Sequence, residues 1–114
     1  MKLIALYRQP ANPEEFDQAY FNTHLPLIAQ VPGLQRTVVT RVARTLTGDG
    51  FYMMAEMHFA DADALKNGLR SPEMAEAGKN LNSFAEGLVT LMYGNEEQSA
   101  VNPAPGSTIP SSAS

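Results

Sequence analysis

Residues 51–59 constrain the fold of this chain most, because both faces of the strand that they predict are rich in apolar side chains. Side chains alternate between the two faces of a β-strand. One face is wholly apolar and predicts a core under helices; it carries Phe51, Met53, Ala55, Met57 and Phe59. The other face is too apolar for water and too polar for a dry core; it carries Tyr52, Met54, Glu56 and His58. The fold must therefore cover both faces of a sheet.

The remaining segments predict an α+β, ferredoxin-like β-α-β-β-α-β fold with a four-stranded antiparallel sheet and the helices on one face. The predicted strands are 2–8, 34–46, 51–59 and 88–93, with a hairpin turn at 47–50. Asn12 and Pro13 are typical of a helix start, and Asp61 and Ser71 are predicted to cap later helical segments. Residues 1–94 are expected to form this single domain.

Asn, Gln, Ser, Pro and Gly dominate residues 95–114, which predicts a Pro/Ser-rich C-terminal tail outside the domain. A segment of this composition does not fold by itself. We expect the partner subunit or a neighbouring molecule to hold it, with Val101 and Ile109 as anchors.

The first helix carries a histidine close to a proline, in the sequence Thr23-His24-Leu25-Pro26. Proline lacks an N–H group and disfavours helical geometry at the residue before it. The helix is therefore predicted to kink or stop around His24, which places the imidazole at a helix end. Pro32-Gly33 then predicts a type II turn into the second strand.

The second face of the sheet predicts a partner subunit. One set of helices covers only one face, and an apolar face of this size is unusual on a soluble monomer. We expect a homodimer in which two sheets pack face to face and enclose a mixed apolar and polar cavity.

Composition excludes several classes of function. The chain of 114 residues has a net charge of -4, its eight basic residues are scattered, and it has no cysteine. Nucleic-acid binding is not expected, and thiolate chemistry and cysteine-bound zinc are excluded. No apolar run is long enough for a membrane span or a signal peptide, so we expect a cytoplasmic protein that does not bind membranes.

Three residues are candidates for acid–base catalysis: His24, Glu56 and His58. His24 is either the acid–base group of a pocket or a structural side chain that bonds carbonyls freed by Pro26. Glu56 and His58 lie two residues apart on one strand face, where a carboxylate can orient an imidazole. Their alternative role is a polar contact across the dimer interface.

The same three residues have the composition of a two-histidine, one-carboxylate metal site, but their spacing does not require one, and we expect no metal. The candidate ligand contacts are Tyr52 and Met54 on the second sheet face, and Tyr20 beside His24. No phosphate-binding glycine pattern and no recognisable nucleophile motif is present, and no cofactor is expected.

The chain resembles the EthD family, named for ethyl tert-butyl ether degradation, in the dimeric α+β barrel superfamily. The resemblance covers residues 1–94 and rests on Phe16 and Tyr20, on 24–27 (His-Leu-Pro-Leu) and on 32–34 (Pro-Gly-Leu). The 59–65 segment, Ser71-Pro72-Glu73 and Phe84 also fit. The resemblance implies a homodimer and a catabolic setting, beside a haem-thiolate monooxygenase system in the namesake case.

Relatives in the wider superfamily include cofactor-independent monooxygenases, isomerases, and dehydratases or decarboxylases. We therefore expect a small catabolic or accessory protein that binds a small, mainly apolar organic molecule in an inter-subunit cavity and performs proton transfer without a cofactor. The alternatives are a non-catalytic binding or carrier protein that supports a monooxygenase pathway and, more weakly, a cofactor-free monooxygenase.

Overall fold

The computed structural model describes residues 1–97. Its elements follow in chain order: β1 (Lys2–Tyr7), α1 (Pro13–Ala19), a π-helical segment (Tyr20–His24), α2 (Leu25–Ile28), β2 (Leu34–Arg41), β3 (Met53–Phe59), α3 (Ala62–Leu69), α4 (Pro72–Ala85) and β4 (Val89–Gly94). The four strands form one sheet in the order β2-β3-β1-β4. All three pairings are antiparallel, which confirms the predicted ferredoxin-like α+β fold.

Strand alternation places the core on one face of the sheet. The side chains of Leu3, Ala5 and Tyr7 from β1 are buried on this face. In β3 the buried set is Met53, Ala55, Met57 and Phe59, as the alternation predicts. The helices cover this face, which we call the covered face. The opposite face, defined by Lys2, Ile4 and Leu6 of β1 and by their neighbours in register, is called the open face.

Three side chains cap the helices as predicted. The Asn12 side chain accepts a hydrogen bond from the Glu15 amide at the start of α1. Asp61 accepts from the Ala64 amide before α3, and the Ser71 hydroxyl accepts from the Met74 amide before α4. Each cap satisfies an amide that has no partner inside its own helix, so the local sequence decides where these helices begin.

The second strand is shorter than predicted. Strand β2 ends at Arg41, so the prediction that it continues to Leu46 is wrong. The Val42 amide still donates to the Tyr52 carbonyl, but residues 43–50 are exposed throughout and Leu46 is 79% exposed. The reason is physical: a paired strand needs at least one face to pack, and nothing packs on these residues.

The first helix was predicted to kink or stop around His24; it does not stop there, but its regular α-helical form is interrupted by the π-helical segment that ends at His24. The helix continues through the π-helical segment into α2, and the Leu25 amide donates to the Tyr20 carbonyl five residues earlier. A π turn adds one residue to the helical turn. Pro26 thereby falls in the first turn of α2, where a missing N–H group costs little.

The turn before β2 agrees with the sequence. Gly33 has φ of +81°, the left-handed value that a type II turn needs at its third position. The Leu34 amide donates to the Val31 carbonyl across this turn.

The predicted tail falls mostly outside the described residues. Asn95 to Glu97 follow β4 without regular structure, whereas 98–114, with Val101 and Ile109, lie outside the described part of the chain. Within residues 1–97, none of the helices has the length and hydrophobicity needed to span a lipid bilayer.

Candidate functional site

The sheet separates the three predicted catalytic residues. His24 lies among the helices on the covered face and is 4% exposed. Glu56 and His58 lie on the open face, where Glu56 is in register with Ile4 and His58 with Lys2. The three side chains therefore cannot act on one ligand. Among residues 1–97, no three His, Cys, Asp or Glu side chains converge as a metal site.

Glu56 is paired with a lysine rather than with His58. The Lys2 ammonium donates to the Glu56 carboxylate across the β1–β3 pair, and this hydrogen bond raises the pKa of Lys2 above its ordinary value. The two side chains are 19% and 17% exposed. The carboxylate of Glu56 is thus held by a cation through a charge-assisted hydrogen bond, and not by the predicted partner His58.

Tyr52 does not lie on the open face. Its hydroxyl donates to the Asp17 carboxylate of α1 at 2.8 Å and accepts from Arg41, and its ring meets the Phe16 ring edge to face. Tyr52 precedes β3, so the pleat does not control its direction and these partners turn it toward the helices. Met54 lies on the open face as predicted, opposite Leu6, so Tyr52 and Met54 do not line one site.

An apolar cavity of about 160 Å³ lies on the covered face, between the sheet and the helices. The sheet contributes five residues to its lining: Leu3, Ala5, Tyr7, Met57 and Leu91. The helices contribute a larger share: His24, Ile28, Leu69, Met74, Ala77, Gly78 and Leu81. The cavity is thus formed within one protomer, and His24 is the lining residue with an imidazole.

Asn80 of α4 orients the His24 ring. The Nδ1 atom of His24 lies 3.2 Å from the Asn80 amide oxygen. With this oxygen as the acceptor, Nδ1 carries the proton and donates, and the lone pair of Nε2 is left for another partner. The ring also packs against the Tyr20 and Phe84 rings, with centroids 5.5 and 5.9 Å away.

Burial sets the charge of His24. Desolvation lowers the pKa of His24 below its ordinary value, and the hydrogen bond with Asn80 only partly opposes this effect. The imidazole is therefore neutral at neutral pH. A neutral imidazole with a free Nε2 lone pair in an apolar cavity can accept a hydrogen bond or remove a proton.

Two tyrosines, Tyr7 and Tyr20, are buried near this histidine. Tyr7 lines the cavity, and its ring meets the Tyr20 ring edge to face at a centroid distance of 5.4 Å. Burial raises the pKa of Tyr7 above its ordinary value and raises the pKa of Tyr20 to about 12. Both phenols stay protonated at neutral pH. Tyr20, predicted as a ligand contact, packs beside His24 and does not line the cavity in the described structure.

Sequence reasoning missed Asn80 as a partner of the histidine and did not anticipate a cavity on the covered face. The signal for the covered face was present, since Met74, Ala77, Gly78, Leu81 and Phe84 form the predicted apolar stripe of α4. A polar residue next to such a stripe is a candidate partner for a buried polar group. No sequence spacing connects Asn80 to His24, because 56 residues separate them.

The model of the EthD domain family matches residues 8–87, well over half of the chain. This chain belongs to the EthD family. The matched region contains His24 and Asn80 as well as β2, β3 and all the helices. The resemblance drawn from the sequence is thereby confirmed.

Two relatives support the same assignment. An uncharacterized 11.0 kDa protein of Rhodococcus erythropolis, named for its place in the thcB-thcC intergenic region, is 30% identical over 98 residues, covering 84% of this chain and 94% of the relative. The crystal structure of an ethyl tert-butyl ether (EthD) family protein from Bacillus halodurans is 44% identical with a TM-score of 0.79, covering 84% of this chain and 97% of that one.

A more distant structure shares the EthD fold. A dimeric ferredoxin-like protein of unknown function from Thermobifida fusca is 15% identical with a TM-score of 0.58, covering 80% of this chain and 87% of that one. This likeness extends to the fold alone.

Proposed function

We propose that this EthD-family protein binds a small, mainly apolar organic molecule in the cavity between its sheet and helices, where His24 is the acid–base group. The observation that carries the proposal is the neutral His24 imidazole, held by Asn80 inside an otherwise apolar cavity. The ligand lies within each protomer. This location replaces the inter-subunit cavity expected from the sequence, because the histidine and the cavity share the covered face.

The cavity and the histidine together define the class of ligand. A volume of about 160 Å³ is close to that of an engineered apolar cavity, about 150 Å³, that binds benzene. An apolar body suits this space, and the Nε2 lone pair of His24 can accept one hydrogen bond. A ligand with one ring or a branched alkyl group and a single hydroxyl group meets both requirements, and phenol is the simplest probe.

Proton transfer is the reaction that this geometry supports. The Nε2 atom takes a proton from an acidic O–H or C–H bond of the ligand and returns it to another position, as an isomerase or lyase requires. The apolar lining disfavours the charged imidazolium, so the proton is returned rather than retained. This reaction needs no cofactor.

The open face supports a homodimer as the functional assembly. A row of side chains in register crosses all four strands on this face: Val38, Glu56, Ile4 and Met92. Three of the four are apolar, and a second copy packed on them removes them from water. The Thermobifida fusca protein of the same fold is described as dimeric. We expect a particle of about 25 kDa, twice the 12.4 kDa of one chain.

A non-catalytic binding protein that supports a monooxygenase pathway is the second candidate. One observation favours it: among the described residues that line the cavity, His24 is the only one whose side-chain type has an ordinary pKa near neutral pH, so that one group must serve as both acid and base.

The methionine methyl groups provide a direct test of ligand location. Met57 and Met74 line the cavity, whereas Met54 and Met92 lie on the open face. With methyl-¹³C-methionine, phenol is expected to shift the Met57 and Met74 signals and to leave the other two unchanged. Shifts of the Met54 and Met92 signals instead would show that phenol binds on the open face, in the space between subunits.

Two substitutions test the role of the imidazole. His24→Phe is expected to weaken phenol binding at least about tenfold, because a buried hydrogen bond is lost, and to leave binding of anisole, which lacks the hydroxyl proton, within about twofold. His58→Phe on the open face is the matched control and is expected to bind like the wild type.

Deuterium exchange separates the two candidate functions. In D₂O, proton transfer predicts faster exchange at the carbons next to the carbonyl of cyclohexanone with the wild type than with His24→Phe. Binding with equal exchange in both proteins would favour the binding protein. Oxygen uptake in the same assay would identify the cofactor-free oxygenase.

A further inference from the structure

Two glycines lie inside helices of the described chain for different reasons. A Cβ atom on Gly68 of α3 would lie 2.8 Å from the Phe59 ring and 3.2 Å from the Pro32 carbonyl oxygen, so packing requires glycine there. A Cβ atom on Gly78 of α4 would meet no described atom outside its own helix within 4 Å. The φ angle of Gly78 is not positive, so the backbone does not require glycine either.

Glycine at this position is unfavourable for the helix itself. Gly78 lies in the middle of the 14-residue helix α4, where glycine stabilises the helix less than alanine does. Gly78 also lines the cavity. A side chain at this position would stand at the cavity lining, where nothing within 4 Å obstructs its Cβ atom.

Gly78 and Asn80, the partner of the histidine, lie on opposite sides of α4. Successive helical residues turn by about 100°, so Gly78 and Asn80 lie about 160° apart around α4, on either side of the buried stripe that contains Ala77. Asn80 holds His24 at the polar end. On the other side, Leu91 is 54% exposed and lines the same cavity, which marks an apolar end that reaches the surface.

We propose that Gly78 determines the size of the ligand at the end opposite His24, so that the protein accepts a hydroxyl-bearing molecule with a bulky alkyl group remote from the hydroxyl. This inference rests on the proposed function of the cavity. The 4-alkylphenols fit the description, because their ring places the alkyl group opposite the hydroxyl.

The test uses three ligands of increasing size: phenol, 4-ethylphenol and 4-tert-butylphenol. Each is titrated into the wild type, Gly78→Ala and Gly78→Leu, and binding is measured from the Met57 and Met74 methyl signals. Gly78→Ala is expected to weaken 4-tert-butylphenol binding at least tenfold and to change phenol binding less than twofold. Gly78→Leu is expected to lose both alkylphenols. Ala75→Leu, at an exposed position of α4 outside the cavity, is the matched control and is expected to bind the series like the wild type.

The possible outcomes distinguish the role of Gly78 from the proposal that the cavity binds a ligand. Equal size preference in the wild type and Gly78→Ala overturns the role of Gly78 and leaves the cavity proposal standing. A wild-type protein that binds none of the three phenols overturns both. Gly78→Ala decides the question even where Gly78→Leu does not fold, because alanine is favourable in a helix.

Discussion

The covered and open faces of the sheet are made by the same strands, yet their chemistry differs. On the covered face, helices bury the odd-numbered side chains of β1 and β3 and hold a neutral His24 in an apolar cavity. On the open face, Glu56 lies at less than one-fifth exposure and is neutralised by Lys2. The comparison teaches that residue type alone does not locate a site. Both faces carry a histidine, but only the covered face surrounds it with apolar walls and an orienting amide.

The largest effect is expected on the open face. Ile4→Asp places a carboxylate beside Glu56 in the proposed interface, where burying an unpaired charge is strongly unfavourable. We expect the dimer dissociation constant to rise about 1,000-fold, or about 4 kcal/mol, as measured by light scattering over a dilution series. Leu46→Asp in the exposed segment 43–50 is the control and should remain dimeric. A dimer that survives Ile4→Asp would assign the interface to another surface.

The next effect belongs to the covered face, where packing is tight around Phe59. Gly68→Ala forces a methyl group against the Phe59 ring and is expected to lower the free energy of unfolding by about 1–3 kcal/mol. Gly78→Ala is the matched control and is expected to raise it by up to about 1 kcal/mol, since nothing obstructs its methyl group. Urea denaturation measures both values. Equal changes would remove the distinction between the two glycines.

Acid should destabilise the covered face through His24. The pKa of this residue is lowered in the folded state, so the unfolded chain binds the proton more readily and folding stability falls as the pH drops below about 6.5. The slope is at most about 1.4 kcal/mol per pH unit for one proton. His24→Gln should reduce the slope of stability between pH 6.5 and 5, whereas His58→Gln should retain it. Identical profiles in urea titrations of both variants would contradict the assignment.

The smallest effect on stability is expected at the junction between the π-helical segment and α2. Pro26→Ala restores an amide that can donate within the helix and so favours a regular α-helix in place of the π turn. We expect stability to change by less than about 1 kcal/mol, because lost rigidity offsets gained helix propensity. His24 should turn away from Asn80, and phenol binding should fall. An unchanged His24–Asn80 contact in the mutant structure would show that packing against α4 sets the ring position.

Much of the fold follows from local rules, whereas the site does not. The caps at Asn12, Asp61 and Ser71 were predictable, because each depends on a side chain and an amide three residues away. The contact between His24 and Asn80 joins residues 56 positions apart, and no local pattern encodes it. Tyr52 is a second example of a contact that no local pattern encodes. Strand alternation predicted that its side chain lies on the open face, but its hydrogen bonds with Asp17 and Arg41 turn it toward the helices.

The sequence by itself determined the order of elements, the two faces of β1 and β3, the helix starts and the family, because alternation and capping act over a few residues. The tertiary structure decided three other matters. The first helix continues past Pro26 through a π turn, the lack of packing ended β2 at Arg41, and the helices over the sheet formed a cavity beside His24. Each of these outcomes depends on which distant surfaces meet, and that is set only when the whole chain has packed.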